Sequence, residues 1–367
     1  MTPTFTGVAS VLYILAAVLL VRFLCSFTFK ARKYDKTEAE NTFGPRDLLA
    51  QIPPRQVDEV CSETTKNCYV IMENSEKRIG RLMIFRELQM KLDRRLRLSC
   101  ARILIPESLS YPTLSDTRSW RVDKSTVLLV YARTMIAGIF ASGAVKYNSS
   151  RIHNVLIIGL GGGVINNYLS SMPNQKLNIT VVDIDPVMKR IAEKWYDFEE
   201  TDLHRIIVDD GLEYARRASE KGEKFDAVLL DVNTVERRPL LAPIKEFLTE
   251  VALECWSSIL ADTGVIIVNI LTGREFEGSH KEVNKASFLL FSFLIPLTLS
   301  AVRKTFERHF AGCSLLPRGS EEMLFCFHKV EPHENRTDTL LKMETAIDKE
   351  LGFHLSDGEN YLGSDVQ

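Results

Sequence analysis

Residues Asn154–Leu169 read NVLIIGLGGGVINNYL, and this stretch decides the fold. Its first half is a short apolar run, and its second half has apolar residues at helical spacing. Between the halves lie four glycines, Gly159, Gly161, Gly162 and Gly163. Glycine weakens the interior of strands and helices, so the cluster predicts a tight turn between a buried strand and a helix. Such a turn brings free backbone N–H groups to a helix N-terminus, where the anionic part of a ligand binds.

After Arg151 the chain alternates between strand and helix patterns. Continuous apolar strands separated by helices predict a parallel sheet covered on both faces. The expected strands are Val155–Ile158, Ile179–Val182, Ile206–Val208, Ala227–Leu230 and Gly264–Ile270. The expected helices are Val164–Ser171, Pro186–Tyr196, Leu212–Lys221 and one that ends near Leu260. A closing hairpin is expected at Ala311–Leu316 and Met323–His328.

Composition changes along the chain predict the domain organisation. We expect an anchor at 1–30, a linker at 31–56, a small β-rich region with a connecting helix at 57–145, the α/β domain at 146–332 and a polar C-terminal tail at 333–367. The segment 286–302, ASFLLFSFLIPLTLSAV, carries no charge and interrupts an amphipathic helical pattern. The pattern indicates an insertion within a helix, which is an apolar patch that faces the membrane, a second span or a sequence artefact. A second span is the least expected of these, because it would separate the closing hairpin from the sheet.

The N-terminal segment Gly7–Phe29 is apolar and long enough to cross a bilayer, which takes about 20 residues. Its one charge, Arg22, lies near the C-terminal end. Lys30, Arg32 and Lys33 follow the segment and no basic residue precedes it, so the positive-inside rule predicts a single-pass membrane protein with the remaining chain in the cytosol. A cleaved signal peptide is the alternative, although the basic region that usually opens one is missing.

The overall composition is that of a globular protein, with 45% apolar and 26% charged residues. The net charge of −2 excludes a general nucleic-acid binder, which has a basic excess. The seven cysteines form no CxxC pair, so neither a zinc site nor a thioredoxin-like motif is expected, and we expect reduced thiols. Three N-x-S/T sequons, at Asn148, Asn178 and Asn335, are interpreted as chance matches because Asn178 begins an apolar strand pattern.

Acidic residues follow the glycine loop at two further strand ends. Asp183 ends the second strand, where a carboxylate accepts hydrogen bonds from ribose hydroxyls, and we place Ile184 in the same site. Asp210 and Gly211 follow the third strand, where a carboxylate can accept from an adenine amino group. The ends of parallel strands meet at one edge of the sheet, so these residues predict a nucleoside site. Val164 occupies the sixth position of the dinucleotide fingerprint, which counts against NAD.

Asp231 ends the fourth strand at the same edge. An ionised carboxylate there can orient an amine and accept its proton, so we assign Asp231 as the catalytic residue. Tyr131, on the helix that precedes the domain, is assigned to the substrate side of the site. A loop hydrogen bond is the structural alternative for Asp231.

Several motifs together resemble one enzyme family. VLIIGLGGG, VVDIDPVMKRIAEKWY, DDGLEY and FDAVLLDVN resemble the spermidine-synthase-like branch of class I S-adenosylmethionine methyltransferases. YARTMIAGI and EMLFCF are similar to the C-terminal domain of the elongation factor 1-alpha lysine and N-terminal methyltransferases within it. The resemblance implies a class I, Rossmann-like fold with a seven-stranded, mostly parallel sheet. It implies S-adenosyl-L-methionine as cofactor, with its methionine part at the glycine loop, its ribose at Asp183 and its adenine at Asp210.

Three positions at which this sequence differs from polyamine synthases help to distinguish between aminopropyl transfer and methyl transfer. Polyamine synthases have an acid at Gly162, a second aspartate at Thr234 and a glutamine at Ala132, and the carboxylates pair with a polycation. Their absence argues against aminopropyl transfer and favours a methyltransferase. The resemblance implies that the acceptor is a protein amine, an N-terminus or a lysine. An aminopropyltransferase and a non-catalytic scaffold are the alternatives. A homodimer is left open.

Overall fold

The computed structural model describes residues 49, 51–78, 81–94, 96–109, 114, 116–234, 238–272, 298–318, 321–329 and 336–361. The expected anchor Gly7–Phe29 and most of the apolar segment 286–302 lie outside these residues. Of the helices that are described, none is both long and apolar enough to cross a membrane. The anchor and the insertion therefore stay predictions.

A small antiparallel sheet comes first in the chain. Its strands are β1 (Arg55–Cys61), β2 (Cys68–Arg78), β3 (Arg81–Met90) and β4 (Arg97–Ile103), and they lie in chain order. The largest hydrophobic cluster among the described residues includes four buried side chains of this sheet, those of Tyr69, Ile71, Phe85 and Leu88. The small β-rich region expected from the sequence is present, and β1 begins within the predicted linker.

The second sheet has eight strands within the described residues, seven of them on one path in the order β11-β12-β10-β8-β5-β6-β7. These strands are β5 (Ile152–Ile158), β6 (Lys176–Asp183), β7 (His204–Val208), β8 (Phe225–Leu230), β9 (Leu240–Ala242), β10 (Leu260–Thr272), β11 (Gly312–Arg318) and β12 (Glu321–Phe327). The pairs β5–β6, β6–β7, β5–β8 and β8–β10 are parallel, and β12 is antiparallel to both neighbours. The short β9 pairs antiparallel with β10 and adds a strand to the expected seven. The sheet is mixed because it contains both parallel and antiparallel pairs.

Helices cover both faces of this sheet. They are α1 (Val130–Ala141), α2 (Val164–Ser171), α3 (Pro186–Trp195), α4 (Gly211–Glu220), α5 (Glu250–Ile259) and α6 (Arg336–Leu351), and residues 298–306 are also helical. Asp185, Asp210 and Thr249 cap α3, α4 and α5 by accepting from backbone N–H groups of the first turn. One apolar cluster packs α1, α2, α3 and the small sheet on one face, and a second packs α4 and α5 on the other.

The C-terminal residues differ from the expected polar tail. They form α6 and a 3₁₀ helix at Leu355–Asn360, and they pack on α1. Arg133 of α1 is fully buried and its Nη1 donates to the carbonyl of Phe353 at 2.5 Å. The same guanidinium lies over the ring of Tyr361, 4.3 Å from its centroid. These buried contacts with the C-terminal residues explain why an arginine occurs in an otherwise apolar helix.

The expectation of reduced cysteines is wrong for four of them. Cys61 is bonded to Cys68, and Cys313 is bonded to Cys326. Each pair consists of register partners on neighbouring antiparallel strands, with Cα atoms 3.9 and 4.2 Å apart. Sequence spacing alone does not show such pairs, because strand register brings them together. Cys100 and Cys255 take part in neither disulfide.

Candidate active site

A cavity of about 230 Å³ opens at the carboxyl ends of β5, β6 and β8. This volume is several times that of a water molecule, about 30 Å³, so the cavity has room for a small ligand. Strands β3 and β4 of the small sheet close its far side. The predicted residues that line it are Gly159, Gly161, Asp183, Ile184, Asp210, Gly211, Asp231 and Tyr131.

The four glycines of the loop have different roles. Gly159 has φ +97°, and a Cβ there would lie 2.1 Å from the carbonyl oxygen of Asp231, so only glycine lets β5 and β8 end side by side. Gly161 has φ +53° and lines the cavity. Gly162 and Gly163 do not line it. Gly162 packs on the ring of Tyr196, and Gly163 begins α2 with φ +79°.

Asp183 lies where the loop meets the second strand end. One carboxylate oxygen accepts from the backbone N–H of Leu160 and the other from that of Asp185, both at 2.8 Å. Each oxygen keeps a second lone pair for a ligand hydroxyl. Burial raises the pKa of Asp183 to about 6, although these two N–H groups lower it. Ile184 beside it is 51% exposed, an apolar side chain uncovered at the mouth of the cavity.

Asp210 and Gly211 lie at the third strand end. The carboxylate of Asp210 caps α4, accepting from the N–H groups of Leu212 at 2.8 Å and Glu213 at 3.1 Å. Its other oxygen accepts neither of these N–H groups, and the residue is exposed and lines the cavity. A Cβ at Gly211 would lie 2.5 Å from a methyl carbon of Ile158, so glycine is needed for α4 to approach β5. The capping contact gives Asp210 a structural role besides any contact to a ligand.

Asp231 is held between two polar side chains. Asn269 of β10 donates to its carboxylate at 3.0 Å, and Tyr131 of α1 also hydrogen-bonds to it. Burial raises the pKa of Asp231, while these two hydrogen bonds lower it. Tyr131 and Asp231 were both predicted from the sequence to lie at this site, whereas Asn269 was not. The available signal was one amide in the apolar run VIIVNIL of β10.

The small sheet supplies part of the site that the sequence analysis did not assign. Ser99 of β4 accepts from the backbone N–H of Gly162 at 2.8 Å and so fixes the glycine loop. The loop between β1 and β2 reaches the other side of the cavity, where Ser62 and Thr65 donate to Asp185 at 2.8 and 2.9 Å. The cavity is therefore built by both sheets, and nothing in the local sequence of β1 or β4 indicates this.

Comparison with known proteins gives relatives of two kinds. No protein-family model matches the chain. The polyamine aminopropyltransferase of Vibrio vulnificus is 29% identical over 167 residues, which are 45% of this chain and 52% of that protein. The eEF1A lysine and N-terminal methyltransferase of Mus musculus is 30% identical over 155 residues, 41% of this chain and 22% of that protein. The chain is homologous to both. It spans about half the length of the first of these curated relatives, and less of the second.

The fold is also that of a solved structure. Human methyltransferase-like protein 13, crystallised in complex with SAH, matches with a TM-score of 0.50 and 23% identity over 60% of this chain and 92% of that one. The chain has the class I methyltransferase fold. In its sheet, β5 and β8 are adjacent at the centre and the antiparallel β12 lies near one edge. This strand order places the cavity at the carboxyl ends of the central strands. The resemblance drawn from the sequence motifs is confirmed.

Proposed function

We propose that the chain is an S-adenosylmethionine-dependent methyltransferase that methylates an amine of a protein. One observation carries the proposal. The cavity that holds Asp183 and Asp210 also contains a buried carboxylate, Asp231, flanked by Tyr131 and Asn269. A nucleoside site and an amine-orienting group thus face each other within one space. The homologous methyltransferases support this class of reaction.

The residues present fit this cofactor. Asp183 has lone pairs left for ribose hydroxyls, and the uncovered side chain of Ile184 offers an apolar surface to an adenine ring. Gly159 and Gly161 leave backbone open to the cavity, where a carboxylate of the methionine part would meet the start of α2. Asp210 is placed to accept from the adenine amino group. S-adenosylmethionine supplies an electrophilic methyl group on a sulfonium.

Asp231 provides the chemistry on the acceptor side. Its buried carboxylate orients the amine lone pair toward the methyl group, and most of the acceleration comes from this alignment. When a bound sulfonium supplied its methyl group, the carbon–sulfur bond would break as the nitrogen–carbon bond formed, and S-adenosylhomocysteine would leave. The proton released by the amine nitrogen would pass to Asp231, whose raised pKa suits a proton acceptor. Tyr131 and Asn269 hold the carboxylate in place while this happens.

Two substitutions separate binding from turnover. Asp183→Ala removes the ribose acceptor, so we expect binding of S-adenosylhomocysteine to fall at least tenfold by calorimetry. Asp231→Asn keeps the shape of the side chain, so binding should stay within about twofold while transfer of labelled methyl to lysate proteins falls by about 10²-fold or more. Asp262→Asn is the matched control, because Asp262 is exposed and contacts Lys329 away from the cavity. Equal binding losses in both site variants would exclude a catalytic role for Asp231.

Aminopropyl transfer is the second candidate, because the Vibrio vulnificus relative carries that name. Gly162 and Thr234 stand where polyamine synthases have carboxylates and Ala132 where they have a glutamine, so the chain lacks two of the acidic groups that pair with a polycation. Product formed from decarboxylated S-adenosylmethionine and putrescine would establish this activity instead. A folded chain that gives no heat with S-adenosylhomocysteine would leave only the scaffold alternative.

A further inference from the structure

The two disulfides stand out because nothing in the proposed reaction uses them. Of the described cysteines, four are joined in pairs, and Cys100 and Cys255 are in neither disulfide. The first pair lies at the surface, where Cys61 is exposed, and the second is buried, with Cys326 fully enclosed. The pairs lie in different sheets and far apart in sequence, so each is an independent observation. Cytosolic glutathione and thioredoxin keep such thiols reduced, and stable disulfides are typical of oxidising compartments.

Sequon exposure gives a second and separate observation. Asn148, followed by Ser149 and Ser150, lies in the turn between α1 and β5, and both Asn148 and Ser150 are exposed. Asn148 has φ +53°, a turn conformation that asparagine tolerates. Asn178 is different, because it lies within β6 and its amide donates to Asn154 at 2.8 Å. The objection that Asn178 raised against the sequons therefore does not apply to Asn148.

We propose that this domain folds in an oxidising, secretory compartment and carries an N-linked glycan on Asn148. This orientation is opposite to the one expected from Lys30, Arg32 and Lys33. The flanking-charge rule is a statistical bias, whereas two disulfides require an oxidant that the cytosol lacks. The placement agrees with the alternative that Gly7–Phe29 is a secretory signal. It stands whether or not the chain transfers a methyl group.

An oxidising, secretory compartment contains the reactants for both disulfide formation and N-linked glycosylation. Each pair of thiols loses two electrons and two protons to the disulfide of an oxidoreductase, which becomes a dithiol. At the glycan site, the amide nitrogen of Asn148 bonds to the anomeric carbon of a lipid-diphosphate oligosaccharide. The bond from that carbon to phosphate breaks, the lipid diphosphate leaves, and the amide loses one proton.

The thiols are tested on the full chain expressed in animal cells. Free thiols are blocked with N-ethylmaleimide under denaturing conditions, and the chain is then reduced and tagged with a maleimide polymer. We expect four tags that appear only after reduction, one for each cysteine of the two pairs. Membrane vesicles should also protect the domain from added protease. Thiols that are all blocked before reduction, or digestion in intact vesicles, would overturn the placement.

The glycan is tested by endoglycosidase treatment of the same chain. We expect one gel shift that depends on the sequon at Asn148. Ser150→Ala removes the sequon without changing Asn148, whose φ is positive, and should abolish the shift. Ser150→Thr keeps the sequon and should keep the shift. Asn148→Gln should behave as Ser150→Ala does. A shift of unchanged size after Ser150→Ala, or no shift in the unchanged chain, would overturn the assignment of Asn148.

Discussion

At the scale of single residues, the ribose-binding role proposed for Asp183 makes its charge state a condition for cofactor binding. Ribose hydroxyls need an acceptor, and burial raises the pKa of this carboxyl to about 6, so the free protein holds it protonated below that pH. The ligand must displace this proton. We therefore expect affinity for S-adenosylhomocysteine to fall about tenfold between pH 7 and pH 5, since one proton is linked to binding.

Calorimetry at the two pH values measures this, with circular dichroism to check that the fold persists at pH 5. In Asp183→Ala the remaining, weaker binding should no longer depend on pH over this range. A flat profile in the unchanged protein would show that Asp183 is already ionised at pH 5. That result would remove the link between its burial and ligand binding.

The site residues divide into those that the sequence could predict and those that it could not. Asp183 and Asp231 were predicted because an acid at the end of an apolar strand has few structural reasons to be there. Asn269 and Ser99 were missed because each acts through a neighbour. Asn269 touches Asp231 across the sheet, and Ser99 touches Gly162 from another sheet. Contacts between distant elements leave no local pattern.

At the scale of elements, the loop between β1 and β2 stabilises one wall of the cavity. The bond from Cys61 to Cys68 closes this loop, and Ser62, Thr65 and Tyr69 within or beside it donate to Asp185 at 2.8 to 3.1 Å. The N–H of Asp185 in turn donates to Asp183, as described above. The loop is therefore connected through one residue to Asp183, the proposed ribose acceptor.

Removing the disulfide between Cys61 and Cys68 should make the β1–β2 loop, and with it one wall of the cavity, more mobile. In the double variant Cys61→Ser and Cys68→Ser we expect affinity for S-adenosylhomocysteine to fall about threefold to tenfold, because one or two hydrogen bonds of about 1 kcal/mol become dynamic. Cys255→Ser is the matched control, since its thiol is free and lies on α5. Unchanged affinity in the double variant would show that the loop holds its shape without the bond.

Prediction of the elements succeeded where apolar patterns were continuous. The helix Val164–Ser171 has the predicted bounds, and β6 extends the predicted strand at both ends. α6 was missed for a physical reason. Its buried stripe is Leu340, Glu344 and Ile347, and the acidic residue interrupts the apolar periodicity. Glu344 is buried against Arg318 of β11, a partner that only the tertiary structure provides.

At the scale of the whole molecule, a buried arginine joins the two sheets. Arg86 of β3 is 1% exposed and donates from Nε and Nη2 to the carboxylate of Glu73 at 3.0 and 2.7 Å. Its Nη1 donates to the carbonyl of Trp195, at the end of α3, at 2.8 Å. Asp58 of β1 accepts from the indole of the same tryptophan at 2.8 Å. The small sheet is thus fastened to the helix whose other end lies at the cavity.

Replacing this arginine should therefore affect both stability and binding. Arg86→Met keeps the aliphatic volume but leaves Glu73 buried with fewer partners, and breaking a buried ion pair in this way costs about 3–5 kcal/mol. Urea unfolding should show that loss, and affinity for S-adenosylhomocysteine should fall as well, because β3 and β4 close the cavity. Arg216→Met is the control, since Arg216 pairs with Glu213 and Glu220 on the surface and should change stability by less than about 1 kcal/mol. If Arg86→Met lowered stability but left affinity intact, the small sheet would be a support for the fold and not a wall of the site.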